Sequence, residues 1–174
     1  DDRTDESASF LYEGGIREPL IIRWPGRIDA GSESSAPVIS TDFYPTALEA
    51  AGLPLKPRQH ADGVSLMPIF KGDELDRGAI YWHWPHYSNH GQQSPGGAVR
   101  MGDYKLIEYY ETGAVQLFNL KTDIGEQNNL AEEQPDRAQR MLARLRAWRK
   151  RVNADMPQPN PDYEQTPENR FERW

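Results

Sequence analysis

Four short strand-like runs followed by one long one-sided helix constrain this chain more than any other feature. Runs 79–84, 98–101, 104–110 and 115–120 are short and rich in β-branched and aromatic residues. Gly102-Asp103 and Thr112-Gly113 stand between the last three as hairpin turns, which predicts an antiparallel meander. So small a sheet needs a partner to bury its apolar face. Pro135 opens a helix in which Ala138, Met141, Leu142, Leu145, Trp148 and Val152 share one stripe, and this stripe is predicted to cover the sheet. The fold class is therefore α+β.

The first part of the chain reads differently. Run 18–24 (EPLIIRW), set between Gly14-Gly15 and Pro25-Gly26, predicts a buried strand. A helix is expected over 42–51, ended by Gly52 and Pro54, and a short helical turn from Ser65 to Phe70. The boundary between the two parts falls near 72–78. After Asn153, Pro157, Pro159, Pro161 and Pro167 predict an extended tail.

Composition excludes several classes. With no cysteine in 174 residues, a disulfide scaffold, a thiolate zinc site and a cysteine nucleophile are all ruled out. No apolar run approaches the ~20 residues that span a bilayer, so no membrane partner is expected. The first residues, Asp1-Asp2-Arg3, have no signal-peptide character, so the chain is expected either to be cytoplasmic or to begin inside a longer one. The net charge of −7 disfavours nucleic acid as a partner. It is unevenly spread: residues 134–152 carry +6, which leaves −13 elsewhere. Two readings fit that basic stretch, a nucleic-acid helix and a solvated face balancing an acidic remainder; the second is the commoner.

Three strings invite a chemical reading. Tyr12-Glu13-Gly14-Gly15-Ile16-Arg17-Glu18-Pro19 predicts a structural turn whose glycines admit positive φ, with Arg17 and Glu18 as a candidate buried ion pair. Asp42, His60 and Asp62 have no spacing that favours acid–base work over a structural role. Loop 85–97 follows His83-Trp84 and holds His86, Tyr87, Asn89 and His90. Its length and composition fit a metal site, a substrate-contacting loop or a packed aromatic loop; no carboxylate stands in the string to complete a metal set.

Taken in order, these strings resemble the type I, arylsulfatase-like sulfatases. The resemblance rests on 12–26 (YEGGIREPLIIRWPG), Asp42-Phe43-Tyr44-Pro45-Thr46, Ala51-Gly52, 62–66, 81–87, 97–107 and 117–131, and it covers about 10–158. It implies the end of an alkaline-phosphatase-like α/β domain over 1–77. A small four-stranded antiparallel-sheet domain packed on a carboxy-terminal helix follows over 78–158, then a tail over 159–174.

The family's nucleophile is a Cys or Ser in C/S-x-P-x-R, converted to formylglycine. No such pattern occurs here, and the position of the family's sulfate-contacting lysine holds Ala8. The resemblance implies that the calcium-holding carboxylates of the full-length enzyme lie outside this chain. No catalytic residue and no cofactor is thus assigned to it, and alone it is expected to be inactive. Its expected contribution is recognition of a sulfated small molecule or glycan through His83, His86, Tyr87, Asn89, His90 and Arg100. The large sulfatase domain, or self-association, is the expected macromolecular partner, and a periplasmic or secreted location is expected from the family. The alternative is a stand-alone, non-catalytic carbohydrate-binding or interaction module.

Overall fold

The computed structural model describes residues 11–87 and 94–162 and divides the chain into two compact units, 19–78 and a second formed by 1–18 with 79–174. In the second unit, β1 (Ile80–Trp84), β2 (Gly96–Met101), β3 (Tyr104–Tyr109) and β4 (Val115–Asn119) form an antiparallel sheet in the order β1-β2-β3-β4. The expected meander is present, with β2 starting two residues earlier than its sequence suggests. A further helix, α4 (Pro135–Arg151), begins with Pro at its first turn and ends on Arg149, Lys150 and Arg151, charges that suit the negative end of its dipole.

Pleating gives the sheet two apolar faces. On one, Val99, Leu106 and Leu117 pack against Ala138, Met141 and Leu145 of α4, and Tyr81 stacks on Trp148 with ring centroids 4.7 Å apart. The opposite face gathers Ala98, Ile107 and Phe118 with Leu11. Gly96 makes room for Leu11: a Cβ there would lie 2.9 Å from the Leu11 Cδ1.

Residues 11–18 therefore belong with the sheet, whereas the sequence grouped them with the segment running to 77. The expected open turn is a single helical turn, α1 (Glu13–Ile16), so Gly14 and Gly15 are helical rather than left-handed. The expected Arg17–Glu18 pair is also replaced. Glu18 is exposed, and the buried carboxylate is Glu13.

Lys105, fully buried, holds this segment down. Its Nζ lies 3.1 Å from Glu13 Oε1 and 2.9 Å from Glu126 Oε1. The Glu13 amide also donates to the Glu126 carboxylate. Arg100 and Arg17 approach Glu13 Oε2 from farther off, at 3.8 and 3.5 Å.

In unit 19–78, a 3-10 turn (Ser40–Asp42) leads into α2 (Phe43–Ala50), and α3 (Met67–Phe70) follows. Buried Asp42 organises this unit. It accepts from the amides of Ile39 and Val64 at 2.8 and 2.9 Å and pairs with Arg77. Gly63 is required by the close approach of this turn, since a Cβ would meet the Thr41 carbonyl at 2.2 Å. Run 18–24 forms no strand, and Ile21 is 91% exposed. An apolar run becomes a strand only beside another, and among the described residues none pairs with it.

Replacing Lys105 by Met should cost about 3–5 kcal/mol at neutral pH, because two buried carboxylates lose their cation. Burial already raises the Glu126 carboxyl above its usual range, and Lys105 opposes that rise. The variant's folded state should therefore hold a proton to higher pH than the parent's, so its deficit grows as pH rises and shrinks in acid. Urea denaturation between about pH 4 and pH 7 measures both effects.

Candidate functional site

The expected recognition residues start from β1, and strand parity decides which can act together. Register pairs Ile80 with Arg100 and His83 with Gly97. Ile80 and His83 are three positions apart, so His83 and Arg100 project from opposite faces of the sheet. One ligand lying on either face cannot touch both.

Arg100 lies on the α1 face. Its Nη1 is 3.8 Å from Glu13 Oε2, and its Nε donates to the Gly102 carbonyl at 3.3 Å. The charge expected to meet sulfate thus faces a carboxylate of its own chain.

His83 lies on the α4 face with both ring nitrogens engaged. Nε2 is 2.8 Å from the Asp155 carbonyl and Nδ1 is 2.6 Å from the Tyr110 hydroxyl. A carbonyl only accepts, so Nε2 carries a proton and donates to it, and Nδ1 pairs with the Tyr110 hydroxyl. Burial pushes the Tyr110 hydroxyl up, against the lowering effect of Arg149, so it remains a donor. Gly97 lets Tyr110 in: a Cβ there would lie 2.3 Å from the Tyr110 oxygen. Below it, Glu108 receives Arg146 at 2.6 Å and Arg149 at 2.8 Å, and the Arg149 guanidinium lies 4.6 Å from the Tyr110 ring centroid. Sequence reasoning missed this Glu108–Arg146–Arg149–Tyr110 network. Glu108 opposite Gly97 on a strand, facing a helix rich in Arg, was the signal available.

His86 is different. It is exposed, its ring meets Trp84 edge-on with centroids 5.8 Å apart, and it makes no hydrogen bond among the described residues. Tyr87, also exposed, donates to Glu111. Asn89 and His90 lie outside the described residues. Among the described residues of the expected set, His86 and Tyr87 are the exposed ones, and Tyr87 is already bonded to Glu111.

The described residues gather no three His, Asp or Glu as a metal site. The buried carboxylates Glu13, Asp42, Glu108 and Glu126 each face a Lys or Arg, so they do not fit a calcium site. His60 is also structural: its Nε2 accepts from the Lys56 amide at 3.1 Å, and Nδ1 is 3.2 Å from the Gly63 carbonyl.

His83→Ala should destabilise the fold by about 1–3 kcal/mol, since it strands the half-buried Tyr110 hydroxyl and frees the segment at Asp155. His86→Ala should change stability by no more than about 0.5 kcal/mol. Urea denaturation of the two variants side by side checks the contrast.

Comparison with known proteins agrees with this architecture. Residues 7–152 match the family model for the carboxy-terminal part of N-sulphoglucosamine sulphohydrolase. A sulfatase from Formosa agariphila is 37% identical over 159 residues, which cover 82% of this chain and 29% of that protein. An N-acetylglucosamine-6-O-sulfatase from Bacteroides thetaiotaomicron is 35% identical over 126 residues, covering 70% of this chain and 22% of that one. Among solved structures, one in complex with its substrate D-glucosamine-2-N,6-O-disulfate superposes with a TM-score of 0.65 at 31% identity. It covers 80% of this chain and 29% of that protein. The chain thus spans less than a third of the length of these relatives. On the family match across most of its length, and on the sheet, helix and YEGG turn that carry it, the chain belongs to the sulfatases as a carboxy-terminal portion.

Proposed function

We propose that this chain serves sulfate-ester hydrolysis on a sulfated carbohydrate as the recognition part of a sulfatase, and that it does not itself catalyse. The observation carrying the proposal is His86, exposed just past the end of β1 with its ring edge-on to Trp84, while His83 and Arg100 are tied into the fold and Tyr87 is held by Glu111. An aromatic edge with an imidazole and a phenol alongside suits a sugar ring and its hydroxyl or sulfate oxygens. The relatives named for glucosamine substrates support that substrate class. On this reading, segment 19–78 closes the large α/β domain, and 79–158 with residues 11–18 forms the smaller one. Exposed Leu20 and Ile21 then form a surface that the rest of such an enzyme would cover.

The role of the chain's own residues is to bind and orient. His86 offers a ring nitrogen and Tyr87 a hydroxyl at the rim; the sheet beneath fixes where the loop begins and ends. In a full-length sulfatase carrying this segment, His86→Ala should lower kcat/KM for a sulfated glucosamine by roughly 5- to 150-fold, the equivalent of about 1–3 kcal/mol. Stability should be unchanged. The 174-residue chain alone should release no sulfate. An unchanged kcat/KM would overturn the loop assignment, and sulfate release by the chain alone would overturn the recognition-only role.

A further inference from the structure

Helix α4 (Pro135–Arg151) spends only part of its positive charge on the fold. Arg146 and Arg149 hold Glu108, and Arg137 lies over the Tyr104 ring, 3.7 Å from its centroid, while bonding Gln134. Arg140, Arg144, Lys150 and Arg151 are exposed and form no ion pair among the described residues. At 3.6 residues per turn, Arg140, Arg144 and Arg151 fall within about 40° of arc, roughly 110° around the helix from the buried Ala138, Met141 and Leu145. Their spacing along the axis is about 6 Å and then about 10 Å. Ala143 and Ala147 lie on the same exposed side and leave the guanidinium groups unobstructed.

We infer that this ridge docks a linear sulfated polysaccharide, its sulfate groups meeting the guanidinium groups of Arg140, Arg144 and Arg151, with Lys150 flanking. Charge distribution argues for a polyanion. The stretch 134–152 carries +6 on a chain that is −13 elsewhere, so the positive charge that could attract a polyanion is concentrated on this helix. Residue type argues for oxyanion groups: guanidinium forks match the paired oxygens of sulfate, where ammonium groups act as point charges. The lack of a stacking platform argues against nucleic acid. Trp148, the helix's one aromatic residue, stacks on Tyr81 toward the sheet, so the ridge offers no ring on which a base could lie.

The inference rests on the proposed sulfated-carbohydrate function for the choice of glycan. Its test reads binding rather than turnover, so the two can fail separately. A fluorescein-labelled heparin octasaccharide is titrated with the 174-residue chain and followed by anisotropy at several salt concentrations. The parent should bind, and bind more weakly as salt rises. R140Q/R144Q/R151Q should weaken binding at least ~10-fold and flatten the salt dependence. R23Q/K71Q, which removes exposed charge elsewhere, should bind like the parent, as should its circular dichroism and that of the triple variant match the parent's. A fully desulfated octasaccharide should not bind. Parent-like binding by the triple variant, equal binding of the desulfated sugar, or tighter binding of a DNA duplex of equal charge would each overturn the inference.

Discussion

A lysine ammonium buried between two glutamates is the interaction on which the sheet unit depends. Lys105 projects from near the start of β3 into a space closed by Glu13 and Glu126. Its charge is tolerable there only because both carboxylates are held in place, one by α1 and the other by a residue with φ of 54° in the turn after β4. The Glu13 amide bonds to the Glu126 carboxylate, so the two anions are linked as well as shared. Three segments distant in sequence are thereby joined at one point, and Leu11 is delivered into the space over Gly96. The same residues carry the YEGG string, which makes its glutamate, Glu13, a structural element of this chain's sheet unit.

The sheet's two-sidedness follows from this arrangement and governs the site. One face is given to α1 and its ions, the other to α4 and the Glu108 network. Residues that look like neighbours in the sequence are sorted between the faces by parity, which divides His83 from Arg100. What stays accessible lies past the end of β1, where the chain leaves the ladder. The fold thus spends His83 and Arg100 of the expected set on its own cohesion, and His86 stands exposed at the rim.

Local pattern made much of this legible. Alternation and turn residues located the four strands, and the apolar stripe located α4 and its inward face to within a residue or two. Partnership was less readable. Run 18–24 has strand composition, but being a strand depends on a neighbour, which no local pattern reveals. Glu18 and Glu13 are equally plausible partners for Arg17 in sequence; only the fold brings Lys105 to one of them. In the site, residue types suggested a recognition loop; of its residues the structure describes His86 and Tyr87, both exposed, with Tyr87 bonded to Glu111. His83 carried the same chemical signal while being committed to Tyr110 and Asp155, contacts 27 and 72 residues away in sequence.

The central claim is that the buried Lys105 cluster makes residues 11–18 part of the sheet unit. Amide hydrogen exchange at Glu13 tests it most directly, because that amide owes its protection to the Glu126 carboxylate rather than to any strand. The Glu13 amide should exchange as slowly as those of Leu106 and Ile107 in β3. Exchange at the rate of an unstructured amide, with β3 still protected, would contradict that claim.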